Sequence, residues 1–481
     1  MKISDIIYKE ECIVYPPEKD IDINNIVTEP TEVKKDSLLI IPNSKKYDNS
    51  LLQDFPAAII CDMDCMIPDS VPVIRVENAR LAMARAYYRF ENISKKKITF
   101  IGVTGTNGKS STATLIKQIL SGCGHNVGYI GTGKIEIENK EINDSYYSMT
   151  TPDPSLLYSS IRKMQDSGCD TVVMEVSSHA LALYKVEPII FDYAIFTNFS
   201  SDHLDFHGSQ EEYFNAKLKL FNKCKCGIFN IDDKRVKEAY TICKSRRIAA
   251  GIIWRGDVWG NNIENLGFEG IRYIYHQKNF SFKMNLKLSG VYNAYNSMLA
   301  ATVCIDMGCK PCDVKSILCD TKRIPGRFEI INDKISVIID YAHTDTAFDN
   351  IMKELFVIKN DKKLTVVFGC GGNRDKSKRP KMAAIAEKYA NRIIVTSDNS
   401  RTEPISNIIS DVIKGFEKGR YEVIENRRDA IRAAILCADD NDIVAIIGKG
   451  PEKYNIDSTG YHDFNEKDII KSALSERKVI S

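Results

Sequence analysis

Short apolar runs of strand length recur along this chain with stretches of helical spacing between them. Between residues 98 and 322 the runs are "ITFIGVTG", "NVGYIGT", "DTVVMEV", "FDYAIFTNF" and "CGIFNID". After the first comes "TATLIKQIL", with Leu115, Ile116, Ile119 and Leu120 on one helical face. Strand and helix in alternation predict a doubly wound, mainly parallel sheet. Pro325 and Gly326 in "KRIPGRFEII" then make a hinge-like break. A further α/β unit follows, with strands "KLTVVFG", "RIIVTSD" and "DIVAIIG", each entering a polar loop. Ligands gather at the carboxyl ends of strands in open α/β sheets, so these three loops are expected to share one pocket.

Residues before 98 carry shorter runs, "DSLLIIP", "PAAIICD" and "VPVIRV". They close with the helical pattern "NARLAMARAYYRFEN" and the basic linker "ISKKK". The class is therefore α/β in three domains: a small α/β domain at 1–97, a central domain at 98–322 and a Rossmann-like domain at 323–481. A chain of 481 residues is too long for one core, which agrees.

Charge changes the picture only by exclusion. Lys plus Arg number 66 against 64 Asp plus Glu, a net charge of +2, which gives no support to a nucleic-acid footprint or a polybasic membrane contact. The N-terminal stretch has no basic segment leading into a continuous apolar core, and no run approaches the ~18 apolar residues of a spanning helix. Fourteen dispersed cysteines read as reduced thiols, so a cytoplasmic location is expected. The pairs Cys224/Cys226 and Cys309/Cys312 read as structural and not as zinc ligands, because no second pair follows at finger spacing.

The chemistry starts at "GVTGTNGKSS", residues 102–111, between strand and helix. Gly105 and Gly108 let the backbone approach phosphate oxygens, Lys109 neutralises the terminal phosphates, and the Ser110 hydroxyl suits Mg2+. Thr106, Asn107 and Ser111 complete the cradle. Val103 stands where the usual pattern has its first glycine. Glu175 ends a strand and His203 follows another in the same layer; each reads either as structural or as a metal ligand beside Ser110. Lys217, in the helical "YFNAKLKLF", reads from spacing alone as solvated, together with Lys219.

These motifs, with "MTTPDP", "VMEVSSHAL", "TNFSSDHLDFHG", "SGVYNAYN", "IDYAHT", "FGCGGNRDKSKRP", "SDNSR" and "GKGPE", stand in the order of the Mur ligase family. They resemble most closely its UDP-N-acetylmuramoyl-tripeptide synthetase (MurE) type, in which the Val103 variant is usual. The resemblance implies an ATP- and Mg2+-dependent cytoplasmic monomer that phosphorylates the carboxylate of a UDP-linked precursor peptide and couples an amino acid to the acyl phosphate. It implies a carbamylated Lys217 as an oxygen ligand for a second magnesium, in addition to the one held by Ser110, Glu175 and His203. Adenosine falls to Asn296, Asp340 and Arg327, and the UDP-linked peptide to Thr150, Thr151, Ser177 and Lys185, with residues 1–97 taking the uridine end. Asn293 is given no role.

For the incoming amino acid, Arg374 and Arg401 offer guanidinium forks to a carboxylate, while Asn399, Gly448 and Glu452 complete the pocket, Glu452 facing an ammonium. A surface ion pair is the plainer reading of Arg401. In the resemblance an arginine at position 401 implies meso-diaminopimelate in place of lysine. Several positions depart from the family pattern: Ser400 replaces Pro, Pro451 replaces His, Leu183 and Lys185 replace Gln and Arg, and the uridine-binding "DSR" element is unrecognisable around Glu29, Pro30 and Thr31. A related ligase of pseudomurein synthesis, adding lysine or another amino acid to a non-muramoyl UDP-peptide, is the alternative. A nonenzymatic scaffold would have lost Lys109, Glu175 or Lys217, and all three are present.

Overall fold

The structure, a computed structural model, describes residues 1–15, 20–43, 49–52, 54–63, 71–93, 98–143, 148–321 and 323–480. The basic stretch 94–97 of the expected linker lies outside them. The three N-terminal apolar runs become strands Ser37–Ile40, Ala58–Cys61 and Val73–Arg75, joined by Asn25–Val27 in an all-parallel four-stranded sheet. Helix Ala79–Phe90 starts where the Asn78 side chain accepts from the Leu81 amide at 3.0 Å, a standard N-cap. Its Tyr88 ring meets Tyr158 of helix Pro154–Asp166 edge to face at 5.5 Å, so the N-terminal sheet and one face of the central sheet share a single apolar core. Arg85 ties the two parts further, contacting Glu11 at 3.1 Å and Glu187 at 3.3 Å.

All five apolar runs of the central region are strands of one eleven-stranded sheet. Its middle is parallel, in the order Arg246–Gly251, Cys224–Asn230, Phe191–Phe196, Thr99–Thr104, Thr171–Glu175, Val127–Gly131. Antiparallel strands extend one edge, Lys134–Ile137 and Lys140–Glu141; at the other Val258–Asn265 joins in parallel, and Ile271–Gln277 and Phe280–Leu286 follow it antiparallel. Sequence reasoning passed over these edges, although alternate residues of Ile271–Gln277 are buried, the period of a half-covered strand. Leu115, Ile116, Ile119 and Leu120 of helix Lys109–Gly122 pack with Met298 and Leu299 of helix Tyr292–Asp306. Each fully buried side chain of this kind contributes about 1.5–3 kcal/mol. Cys224 and Cys226, separated by the exposed Lys225 in "CKC", are both buried and pack into different apolar cores.

The C-terminal sheet runs Glu329–Asn332, Ser336–Asp340, Ile443–Ile447, Leu364–Phe368, Arg392–Val395, Glu422–Val423, parallel except for its first strand. The Pro325–Gly326 break is packed rather than open: a Cβ on Gly326 would stand 2.2 Å from the Pro451 nitrogen. A separate hairpin, Tyr454–Asp457 with Gly460–Asp463, follows the last loop. Among the described residues no helix is long and apolar enough to cross a membrane.

Candidate functional site

Strand Thr99–Thr104 delivers the chain into a loop that only glycine fits at two points. A Cβ on Gly105 would lie 1.9 Å from the Thr197 hydroxyl, and one on Gly108, at φ 81°, would lie 2.5 Å from Asn296 Oδ1. Asn198 holds Asn107 from both sides, accepting from its amide at 2.9 Å and donating to its carbonyl at 3.0 Å. Helix Lys109–Gly122 then begins, with its positive end at the loop. Lys109 Nζ curls back to donate to the carbonyls of Gly105 and Thr106, both at 2.9 Å, and burial lowers its pKa. Ser110 donates to Glu175 Oε2 at 2.8 Å and accepts from Arg327 Nη2 at 2.8 Å, so the C-terminal region reaches the cradle. Glu175 is fully buried at its strand end, where Tyr129 and the Thr132 amide each donate to it at 3.0 Å.

Lys217 overturns its solvated reading. It is 1% exposed and lies over the Tyr213 ring at 4.5 Å. Its Nζ donates to the Gly105 carbonyl at 2.9 Å, the same oxygen that Lys109 uses. Burial first, and Lys109 second, push its pKa well below the ordinary lysine value. Spacing missed this because a helix of nine residues, Gln210–Leu218, is covered on the face that carries Tyr213, Phe214 and Lys217.

His203 adopts left-handed backbone, φ 54°, and burial lowers the pKa of its imidazole despite Asp202 at 3.3 Å. The predicted metal set does not form a closed cage. Among the described residues no three His, Cys, Asp or Glu side chains converge on one point, because Glu175 is turned to Ser110 and Thr132 while His203 is turned to Asp202.

Thr150 shares a hydroxyl contact of 3.0 Å with Thr132. Thr151 donates to the Glu175 carbonyl at 2.9 Å and accepts from the Ser177 amide at 3.0 Å. Ser177 caps helix Ser178–Ala182. Lys185 reaches Asp153 at 2.7 Å, at the foot of the same loop. Asn296 faces Gly108 and donates to Asn293, and Asp340 accepts the amides of Phe328 at 2.6 Å and Ala342 at 2.8 Å. Burial raises the Asp340 pKa.

The three C-terminal loops do meet. Arg401, at φ 55°, is not a surface ion pair: its guanidinium donates to the carbonyls of Gly372 at 3.0 Å and Asn399 at 3.1 Å. Burial, with Arg374 next, lowers its pKa. Asn399 donates to Glu452 Oε2 at 2.8 Å, and Tyr341 donates to Glu452 Oε1 at 3.2 Å. A Cβ on Gly448 would stand 2.7 Å from the Asp398 carboxylate. Sequence reasoning passed over Lys449 and Asp398 behind these groups, and Asn198 beside the cradle. The available signal was polar residues placed directly after apolar strand runs.

One cavity of about 1130 Å³ joins these parts. All the predicted site residues line it except Gly105 and Lys217, which sit just behind the cradle. Among the described residues none before Thr106 lines it.

The Mur ligase middle domain matches residues 103–304, and the Mur ligase, glutamate ligase domain matches residues 326–450. The UDP-N-acetylmuramoyl-L-alanyl-D-glutamate--2,6-diaminopimelate ligase of Clostridioides difficile (strain 630) is 37% identical over 489 aligned residues, covering 99% of this chain and 100% of that protein. A solved structure bearing the same enzyme name superposes with a TM-score of 0.68 at 25% identity, covering 99% of both chains. A pseudomurein peptide ligase type C from Methanothermus fervidus shares the fold at 19% identity and a TM-score of 0.60, over 86% of this chain and 87% of that one.

Proposed function

Because the chain belongs to the Mur ligase family of ATP-dependent amide ligases, we propose that it joins a diamino acid, meso-diaminopimelate, to a UDP-linked cell-wall precursor peptide. The observation that carries this reading is the single cavity in which a phosphate cradle faces two arginines and a glutamate. The full-length likeness to proteins named as diaminopimelate ligases supports the muramoyl peptide as acceptor. The pseudomurein alternative is supported by shared fold alone.

A carboxylate is a poor electrophile, so the peptide carboxylate oxygen first attacks the γ-phosphorus of ATP and the bond to ADP breaks. The amine then attacks the acyl carbon, loses a proton, and phosphate leaves. No protein nucleophile is required; positioned charge does the work. Lys109, Arg327 and the helix N-terminus face the transferred phosphoryl group, while Asn296 and Asp340 hold adenosine. Thr150, Thr151, Ser177 and Lys185 orient the acceptor. Arg374 and Arg401 grip the distant carboxylate of the diamino acid, and Asn399, Gly448 and Glu452 bind its ammonium end. Residues 1–97 would hold the uridine end.

Magnesium fits as an ion completed by its substrate. Ser110 Oγ and Glu175 Oε2 stand 2.8 Å apart beside the cradle, and Mg2+ takes one or two protein ligands and fills its shell from water and phosphate oxygens. When bound it would neutralise charge developing on the phosphates; His203 would stand beside it, and a carbamylated Lys217 would serve a second magnesium. Lys217 suits carbamylation chemically, because only an uncharged amine attacks carbon dioxide and its surroundings favour that form.

Incubation with ATP, Mg2+ and a panel of UDP-peptides and diamino acids, read by product mass, tests the reading. ADP and an amide should form together, only when acceptor and diamino acid are both present. A clear preference for lysine overturns the choice of diaminopimelate, and ATP turnover with no amide overturns the ligase.

A further inference from the structure

Resting on the ligase reading, we propose that Lys449 is the positioning residue of the amine-capture site: fully buried, it fixes Asn399 and Glu452 in the arrangement that presents a carboxylate to an incoming ammonium. Lys449 follows strand Ile443–Ile447, is 0% exposed, and does not line the cavity. Its Nζ donates to Asn399 Oδ1 at 2.8 Å and to Glu452 Oε2 at 3.3 Å, with Asp398 Oδ1 at 3.9 Å.

An asparagine carboxamide has two orientations related by a flip, and only its partners choose between them. Here Oδ1 receives two donors, Lys449 Nζ and the Ile456 amide at 3.0 Å. The Asn399 NH2 group must therefore face Glu452, where it donates at 2.8 Å. With Tyr341 on the other oxygen, the Glu452 carboxylate, which lines the cavity, is held by three donors and has about one acceptor site left for an ammonium.

Charge balance points the same way. Asp398 and Glu452 are two carboxylates on neighbouring loops around one lysine. Burial works to raise the Asp398 pKa, but Lys449 and then Arg427 outweigh it and hold that carboxyl below the usual range. Around Glu452 stand Tyr341 and Tyr454 as neutral phenols, Arg401 across the pocket, and Arg427, which is itself engaged by Glu466 at 2.6 Å. Lys449 is the cation in direct contact with both Asn399 and Glu452. Without it a pair of buried like charges relaxes by taking up a proton, and a protonated Glu452 attracts no ammonium.

The test is steady-state kinetics of the full chain with diaminopimelate varied at saturating ATP and UDP-peptide, for the wild type, Lys449→Met, Glu452→Gln and the double variant. Amide formation by the wild type is the arm on which the ligase reading stands or falls. Lys449→Met should raise the KM for diaminopimelate about 10- to 100-fold, as loss of a charged, buried hydrogen-bond donor implies, and leave the KM for ATP within about twofold. The acid limb of kcat/KM for diaminopimelate should move to higher pH. In the Glu452→Gln background the same substitution should cost under about threefold, since the two residues act as one unit. If Lys449→Met does not fold, Lys449→Gln, which keeps a donor without the charge, should show the same shift of the acid limb. Additive effects, KM values for ATP and diaminopimelate rising together, or an unmoved acid limb would overturn the proposal.

Discussion

At the phosphate end of the cavity two lysines crowd one carbonyl; at the amine end one lysine is shared between two carboxylates and an amide. Lys109 and Lys217 both donate to Gly105 at 2.9 Å, and among the described residues no ion pair is made by either, Glu175 and Asp202 acting on Lys109 only from a distance. Lys449 has Glu452 at 3.3 Å and Asp398 at 3.9 Å. The first site is electrostatically incomplete in the protein alone, so an anion, or the loss of a proton from Lys217, relieves it. The second is compensated in advance and keeps its geometry without ligand. Such a division suits a ligase: ATP must bring in charge that the site lacks, whereas a zwitterionic diamino acid brings almost no net charge and must be recognised by shape and placed dipoles.

Lys217 gives the largest test of this contrast. Lys217→Ala should lower kcat by about 10²–10³-fold or more, the scale of losing one preorganised charged contact to the transition state. If the amine acts as a carbamate, short carboxylic acids added to the variant should restore part of the amide-forming rate. Undiminished activity would mean that the phosphate end needs no group at this place, and the contrast would collapse.

Arg401→Ala should be felt at the other end only. A guanidinium paired with a carboxylate discriminates by about 10²-fold or more against a substrate that leaves it unpaired. The variant should lose most of its preference for diaminopimelate over lysine when the two compete in one reaction, while the KM for ATP stays put. A parallel loss with both amino acids would place Arg401 outside recognition of the distant carboxylate.

How far each end was legible in the sequence follows from the same difference. The cradle is local: "GTNGKS" spans a single turn, and glycine spacing alone announces it. The C-terminal loops show as polar residues after apolar strands, and Arg374, Asn399, Arg401 and Glu452, singled out there, line one cavity. Lys449, between two glycines of "GKGPE", was passed over, since its partners Asn399 and Asp398 lie on the loop about fifty residues earlier and only tertiary structure brings them to it and Glu452. Lys217 failed for the converse reason. Its helix has almost no one-sided apolar pattern, and its burial comes from the cradle loop and the aromatic rings around it. The edge strands were missed because a half-buried strand such as Ile271–Gln277 lacks the continuous apolar run of the parallel strands.

The smallest predicted effect lies where the two ends touch. The hairpin Tyr454–Asp457 and Gly460–Asp463 is tied to the amine end, since the Arg401 amide donates to the Ile456 carbonyl at 3.1 Å. Its Tyr461 hydroxyl stands 3.1 Å from Ser148 Oγ, at the head of the loop that carries Thr150 and Thr151. Both groups are solvent-exposed, so the bond is worth no more than about 0.5–1.5 kcal/mol. Tyr461→Phe should therefore raise the KM for the UDP-peptide only about two- to tenfold. Ser148→Ala, which also removes the Ser148 contact with Tyr454, should cost at least as much, and adding Tyr461→Phe to it should change little further, because the Tyr461 bond is already gone. Were the two effects to multiply, the contact would not be what joins the acceptor loop to the amine-capture loops, and the ends of the cavity would have to be treated as independent binding sites brought together only by their substrates.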